Sequence, residues 1–224
     1  MLKNLFFLIC TLAISRQALA ATPQEFIANT LSKIIHANND IVEIRTFLLQ
    51  NQFSTDASIA LKIKAIAKQY KIKNWQITSP KAWDRLLTKV DIWPNSMILS
   101  QAIIESGFGK SRFATQANNL FGIWCYQPGC GLIPQQRDSN KIHEVKKFQN
   151  IEQGISYHLL NLNTHPAYHK LRQQRLNMRN NKQGLSGSKL SFYLNNYAEI
   201  GATYSHNLTL LINKYNLQKW DTEQ

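Results

Sequence analysis

The sequence has 224 residues and a formal net charge of +13. This length allows one well-buried domain with a helical segment in front of it. Its basic charge favours an anionic partner such as cell wall, lipid headgroups or lipopolysaccharide. Nucleic acid, the usual partner of a basic cytosolic chain, is not expected because the N-terminus indicates export.

Residues 1–20 have the features of a secretory signal peptide. Lys3 precedes an apolar run from Leu5 to Ile14, and Ala18-Leu19-Ala20 fits an A-x-A cleavage site. The run is too short for a membrane-spanning helix, which needs roughly 20 apolar residues. We therefore predict an exported protein, periplasmic or cell-envelope associated, whose mature chain begins at Ala21.

Residues 21–78 are predicted to form a helical N-terminal segment. Thr22, Pro23 and Glu25 have the spacing of a capped helix start. Helical periodicity follows, and a second helix is predicted around 56–70. Because the segment has no cluster of Asp, Glu, His or Cys, we interpret it as a packing or positioning element.

Residues 79–218 are predicted to form the functional domain, a mainly helical α+β unit with a small β-hairpin. Between 132 and 148 the helical period fades, and IHEVKKF alternates as a strand or hairpin does. Helices are predicted at 83–89, 93–105, 111–117, 150–162, 189–197 and 203–215.

Glu105 is the first candidate for chemistry. It shares an apolar helix face with Ile98 and Ala102 and falls in the last helical turn, where partial negative charge disfavours a carboxylate. Burial and the helix end both predict a raised pKa. Gly107 and Gly109 then release the chain, which allows close approach of a ligand.

Aromatic residues follow Glu105 within a short loop region: Phe108, Phe121, Trp124 and Tyr126. A carboxylic acid that holds its proton beside aromatic rings is suited to glycoside cleavage, because the acid protonates the leaving oxygen and the rings stack on sugars.

Glycoside cleavage also needs a second carboxylate or a nucleophile supplied by the substrate. Glu144 is the favoured candidate, since a hairpin can project it across a cleft. Asp138 is the weaker alternative because it lies in a polar turn. The histidines have no metal-ligand spacing, and neither a nucleophile elbow nor a phosphate loop occurs. No metal or cofactor is expected.

Cys125 and Cys130 bracket a Pro-Gly turn in CYQPGC. The turn can bring the two thiols within bonding distance, and an oxidising compartment would join them. A metal site is the alternative, but two cysteines supply too few ligands. We predict a disulfide.

The segment from 168 to 182 is strongly basic and contains no acid. It is a possible contact with an anionic wall or membrane surface, although such a run is more often a solvated face. Its cations are Lys170, Arg172, Arg175, Arg179 and Lys182.

The string QAIIESGFGKSRFATQANNLFGIW resembles the QA-x-x-ES…NNLFGI signature of bacterial cell-wall N-acetylglucosaminidases, glycoside hydrolase family 73. WCYQPGCGLIP, HEVKKF and NLNTHPAY are similar to the Bax-like exported branch of that family. The resemblance covers about residues 79–215. It implies a lysozyme-like fold that cleaves the β-1,4 bond after N-acetylglucosamine in peptidoglycan.

The same resemblance assigns roles to individual residues. Glu105 corresponds to the general acid, and Glu144 to a second acidic residue on a flexible hairpin, acting as base or electrostatic stabiliser. Tyr197 and Tyr204 correspond to a late tyrosine motif at the sugar site, although family members commonly read YATD where this chain has YAEI. The other implied substrate-binding residues are Phe108, Asn119, Phe121, Gly122 and Trp124.

Two alternatives stay open. A lytic transglycosylase shares the helix-ending Glu-Ser and the fold but makes an anhydro product; the Gly-Leu-Met-Gln string typical of that group is missing after Asn119. A non-catalytic wall-binding or scaffold protein would use the basic segment to hold anionic polymer.

Overall fold

The computed structural model describes residues 22–138, 140–194 and 202–221, so the predicted signal peptide lies outside it. Within these ranges the chain is mainly helical with one small antiparallel sheet, which confirms the predicted α+β class. The helices are α1 (Pro23–Gln50), α2 (Ala57–Gln69), α3 (Pro80–Lys89), α4 (Asn95–Ser106), α5 (Arg112–Ala117), α6 (Ile151–Thr164), α7 (His169–Asn180), α8 (Gly187–Ser191) and α9 (Ala202–Lys214), with 3-10 turns at Pro166–Tyr168 and Leu217–Trp220.

Helix α1 begins at the predicted capping box. The Thr22 hydroxyl oxygen accepts a hydrogen bond from the Glu25 amide, and the Glu25 carboxylate accepts one from the Thr22 amide. This pair satisfies amides that a helix start leaves without partners. The predicted start of the first helix is therefore confirmed.

The N-terminal segment shares one core with the rest of the chain. Apolar side chains of α1 and α2 join the same buried cluster as those of α4, α6 and α9. Asn38 of α1 also exchanges hydrogen bonds with the backbone of Trp93, just before α4 begins. Lys33 pairs with Glu152 at the start of α6. The segment thus packs directly on the helices that carry the candidate site.

Helix α4 runs through the centre of the molecule. Every residue from Asn95 to Ile103 is buried, so the helix is enclosed on all sides and does not have a single apolar face. At its start the Asp221 carboxylate accepts hydrogen bonds from the Ser96 amide and hydroxyl. A carboxylate at a helix N-terminus meets unpaired amides and favourable partial charge, so the C-terminal tail fixes this end of α4.

The sheet has three short strands, β1 (Trp124–Cys125), β2 (Gly131–Leu132) and β3 (Glu144–Lys146), in the order β1-β3-β2. Trp124 lies opposite Val145, and Cys125 lies opposite Glu144. The strand-like reading of HEVKKF is confirmed, with β3 in the middle of the sheet.

The basic segment forms helix α7, although the sequence does not predict an element there. Two of its arginines are buried and donate to backbone carbonyls: Arg172 to Leu162, and Arg175 to Asp91. Arg179 binds the Asp91 carboxylate at 2.9 Å. The segment is therefore largely an internal anchor, because buried cations need such partners.

The end of the functional domain is described in part. Helix α9 matches the helix predicted at 203–215, whereas α8 ends at Ser191, short of the predicted 197. Residues 195–201 lie outside the described ranges. In the described part of the chain, none of the helices combines the length and apolarity needed to cross a membrane.

Candidate active site

Glu105 occupies the penultimate position of α4, where the helix turns sharply. The Ser106 hydroxyl donates to the Ala102 carbonyl at 2.5 Å and accepts from the Gly109 amide at 2.7 Å. Gly107 continues in the left-handed region at φ 57°, which glycine enters with little strain. The Ser-Gly pair after Glu105 therefore closes the helix with a fixed turn.

The first turn of α1 packs against this helix end. The Phe26 ring lies edge-on to Phe108 at 5.9 Å between centroids, and Phe108 lies edge-on to Tyr215 at 5.7 Å. A Cβ added at Gly109 would lie 2.8 Å from the Phe26 ring, so only glycine fits there. We call Phe26, Phe108 and Tyr215 the aromatic brace. Phe108, predicted to bind substrate, packs within it.

An open cavity of about 580 Å³ extends from Glu105. Four predicted site residues border it: Glu105 at the end of α4, and Phe121, Gly122 and Trp124 after α5. The remaining walls are Ile123, Tyr126, Tyr157, His158, Asn161, His165 and Tyr168. Most of these side chains carry rings, and five of the walls come from α6 or the turn that follows it. The cavity is thus an aromatic cleft with a glutamate on one side.

Burial raises the pKa of Glu105, and a hydrogen bond from the Tyr204 hydroxyl partly opposes that rise. The nearby Tyr168 has its pKa raised to about 12, first by its own burial and then by the charge of Glu105. The predicted direction for Glu105 is confirmed. The physical cause is loss of water around the carboxyl group, which disfavours the charged form.

Tyr204 is buried and supports Glu105 from behind. Its hydroxyl oxygen accepts a hydrogen bond from the Gln101 side-chain nitrogen at 3.3 Å. Gln101 Oε1 in turn lies 3.2 Å from His158 Nε2. Because an amide oxygen only accepts, Nε2 of His158 carries the hydrogen. We call His158, Gln101 and Tyr204 the polar chain.

Asn119, the other predicted residue in NNLFGI, organises the loop under the cavity. Its amide nitrogen donates to the carbonyls of Ile123 and Lys146, and its oxygen accepts from the amides of Phe121 and Ile123. Asn119 is buried and does not border the cavity. Its contacts hold Phe121 and β3 in place.

The loop between β1 and β2 carries the predicted disulfide. Cys125 and Cys130 are joined, with their Cα atoms 6.2 Å apart. The Glu144 carboxylate lies under the closed loop and accepts hydrogen bonds from the amides of Gly129 at 2.9 Å and Gly131 at 2.7 Å. The two cysteine sulfurs and a Glu144 oxygen lie within 4.8 Å of one another. Because both sulfurs are bonded to each other in the disulfide, they are not free thiolates that could bind a metal ion, and their role is to close the loop.

The amide contacts set the charge state of Glu144. Hydrogen bonds from Gly129 and then Gly131 lower its pKa, because they favour the ionised form. Glu144 is 6% exposed and does not border the cavity that contains Glu105. The structure therefore does not place the two predicted carboxylates on one cavity wall.

Trp124 reaches the cavity from strand β1. It is 53% exposed, and its ring stacks on His143 with centroids 3.9 Å apart. A large exposed ring held flat by a neighbour offers its free surface to a ligand at little cost in side-chain entropy. Trp124 and Tyr126 are therefore the exposed rings of this region that are best suited to stack on a sugar.

Several site residues were missed in the sequence. Gln101 lies one helical turn before Glu105, so i, i+4 spacing could have indicated it. His158 is a lone histidine on the apolar face of α6, and its spacing from the other histidines bears only on a metal-ligand role. Tyr197, predicted to line the sugar site, lies outside the described residues.

Comparison with known proteins agrees with this arrangement. The profile of the glucosaminidase family, described as mannosyl-glycoprotein endo-β-N-acetylglucosaminidase, matches residues 80–217. Protein bax of Escherichia coli (strain K12) is 33% identical over 193 residues, which is 84% of this chain and 69% of that protein. No solved structure matches the chain significantly. The matched region contains the whole aromatic cleft.

Proposed function

This chain belongs to the glucosaminidase family, and we propose that it is an exported hydrolase that cleaves peptidoglycan at the β-1,4 bond after N-acetylglucosamine. Family membership supports a peptidoglycan glycosidase-like function and a cell-envelope location. The observation that carries the proposal is a half-buried glutamic acid with a raised pKa on the wall of an aromatic cleft.

In this proposal Glu105 is the general acid. The raised pKa keeps a fraction of its carboxyl groups protonated nearer neutral pH, and the proton goes to the oxygen of the leaving sugar. As the glycosidic bond breaks, positive charge develops on the sugar ring of the bound residue. Trp124 and Tyr157 border the cleft with exposed rings and supply faces on which the sugar rings stack.

Besides Asp138, the weaker carboxylate, the second catalytic group has two candidates. Glu144 remains the predicted carboxylate, and its ionised state would suit a base or an electrostatic stabiliser. Its oxygens, however, already accept two amides of the disulfide loop, which supports a role in holding that loop. The acetamido group of the substrate is the other candidate, because it can supply the nucleophile itself.

The test of Glu105 is release of reducing ends from purified peptidoglycan by Glu105→Gln. We expect a loss in kcat of about 10²–10⁴-fold, since the amide cannot donate the proton. Glu152→Gln is the matched control, because Glu152 pairs with Lys33 outside the cleft and should leave activity intact. Unchanged turnover by Glu105→Gln would reject the proposal.

Product mass identifies the reaction. Hydrolysis adds one water to each cleaved bond, so we expect reducing N-acetylglucosamine ends, whereas an anhydro product lacks that water. Mass spectrometry of the released fragments reads this difference directly. Anhydro ends would reassign the chain as a lytic transglycosylase.

Glu144→Gln separates the two roles of the hairpin carboxylate. Loss of a base lowers kcat strongly at unchanged KM, whereas a loosened loop raises KM through Trp124 and Tyr126. Asp138→Asn provides the comparison, because Asp138 is the weaker candidate from the sequence. If the kcat of Glu144→Gln stays close to the parent value, the acetamido group or Asp138 is the second participant, and the kcat of Asp138→Asn distinguishes these two.

A further inference from the structure

We propose that His158 and Gln101 are positioning residues that hold the Tyr204 hydroxyl against the Glu105 carboxyl group. This inference rests on the proposed acid role of Glu105. It adds two residues that do not touch the bond being cleaved and act on the acid through Tyr204.

The polar chain has one consistent direction. His158 donates from Nε2 to Gln101 Oε1, and Gln101 donates from its nitrogen to the Tyr204 oxygen. Since the Tyr204 oxygen already receives a hydrogen, its own hydrogen is directed to Glu105, with which it is hydrogen-bonded. Each hydrogen bond in the polar chain therefore orients the next side chain, so that it donates toward Glu105.

The chain is built from side chains that cannot readily turn elsewhere. Gln101 is fully buried in α4, His158 is 1% exposed in α6, and Tyr204 is 2% exposed in α9. The His158 ring is also stacked on Phe121, with centroids 4.0 Å apart and planes 10° apart. Three helices thus contribute one side chain each to the back of Glu105.

His158 has no charge with which to disturb the acid. Burial lowers its pKa to about 3, so the ring is neutral throughout the pH range in which glycosidases work. Neutral imidazole keeps one N–H, and its contact with Gln101 fixes which nitrogen carries it. A histidine in this state is a rigid hydrogen-bond donor.

The consequence for catalysis is a limit on how far burial raises the pKa of Glu105. Tyr204 stabilises the carboxylate left after proton donation, and Gln101 strengthens Tyr204 as a donor because linked hydrogen bonds polarise one another. The other ionisable groups bordering the cleft are Tyr126, Tyr157, His165 and Tyr168. None of these four is part of the polar chain.

The test is the pH dependence of kcat in Tyr204→Phe, Gln101→Met and His158→Phe. The alkaline limb reports the protonated acid, so losing the donor should move that limb to higher pH. We expect the largest shift for Tyr204→Phe and smaller shifts of the same sign for the other two. Each lost link should lower kcat by up to about tenfold, the size of one hydrogen bond.

Two variants make the test specific. His158→Phe keeps the ring that stacks on Phe121 and removes the N–H, whereas His158→Gln keeps an N–H donor and should restore the parent limb. His165→Gln controls for the other imidazole on the cleft wall. Thermal unfolding of each variant separates loss of fold from loss of positioning.

The inference would be overturned if folded Gln101→Met and His158→Phe kept the alkaline limb of the kcat profile at the same pH as the parent protein. If His158→Phe does not fold, Gln101→Met and Tyr204→Phe carry the same prediction. Failure of this inference is distinct from failure of the proposed function, because only the latter requires Glu105→Gln to retain turnover.

Discussion

The end of α4 and the three-stranded sheet each contain a candidate glutamate, Glu105 and Glu144, but they shift the two pKa values in opposite directions. Glu105 is half-buried and loses water, so burial raises its pKa despite the contact with Tyr204. Glu144 is covered locally by the loop, and hydrogen bonds from two backbone amides lower its pKa. The direction of each shift follows the balance between loss of water and hydrogen bonds to the carboxylate.

The two regions are also held differently. The α4 end lies in the main core, and the aromatic brace packs it against α1 and against Tyr215, just after α9. The sheet has strands of two or three residues and depends on a disulfide and on Glu144. Damage to the first should therefore affect the whole fold, and damage to the second should stay local.

The largest expected effect comes from Phe26→Ala. Removing a buried ring leaves a cavity and should lower the free energy of unfolding by about 3 kcal/mol. Activity should fall as well, because Phe26 packs on Phe108 beside Glu105. Denaturant unfolding and kcat measure the two effects.

Phe192→Ala is the matched control for that change, since Phe192 is 57% exposed. Its free energy of unfolding should change by less than about 0.5 kcal/mol. Lower stability of Phe26→Ala with an unchanged kcat would show that the brace supports the fold without acting on Glu105.

The next effect is loss of the disulfide in the double variant Cys125→Ser and Cys130→Ser. The cysteines are five positions apart, and closing so short a loop contributes about 2 kcal/mol in the chain-entropy view. We expect KM to rise because Trp124 and Tyr126 lose their fixed positions, while kcat changes less. Dithiothreitol treatment of the parent protein should reproduce the change in KM; an unaltered KM would place these rings outside substrate binding.

A smaller effect is expected for Trp124→Ala. Losing one exposed aromatic face should raise KM by up to about tenfold, equivalent to the roughly 0.5–1.5 kcal/mol of an aromatic contact. Trp124→Phe should recover part of the loss. Trp220→Ala tests whether any exposed tryptophan has this effect, because Trp220 borders another pocket; a similar rise in KM there would contradict a sugar-stacking role for Trp124.

The smallest effect is a difference in the pH dependence of stability. Glu144 has a depressed folded pKa, so its stabilisation is present above the ordinary glutamate pKa and is lost as pH falls through the folded value. Glu144→Gln should thus lose stability at neutral pH and converge on the parent in acid. Unfolding free energies measured across pH test this.

Glu105→Gln should behave oppositely. Because the folded pKa of Glu105 is raised, its favourable contribution is present below the ordinary value and is lost as pH rises through the folded one. The variant should therefore gain stability relative to the parent as pH rises. Curves of the same sign for the two variants would contradict the contrast between the regions.

Local chemistry in the sequence was enough to determine several features. The capping box at Thr22, the end of α4 at Gly107 and the closure of CYQPGC depend on residues within a few positions of one another. The family could also be identified from neighbouring residues, because its signature is one contiguous string. The raised pKa of Glu105 was also predictable, because its place on an apolar face implied burial.

Only the tertiary structure decided which groups meet Glu105 and which meet Glu144. Gln101 reaches Tyr204 across 103 positions and His158 across 57, and both contacts depend on how α4, α6 and α9 pack. The inward turn of Arg175 toward Asp91, 84 positions away, has the same origin. Periodicity shows that a side chain is buried, but its partner comes from another element, so the function of a buried polar residue is set by packing.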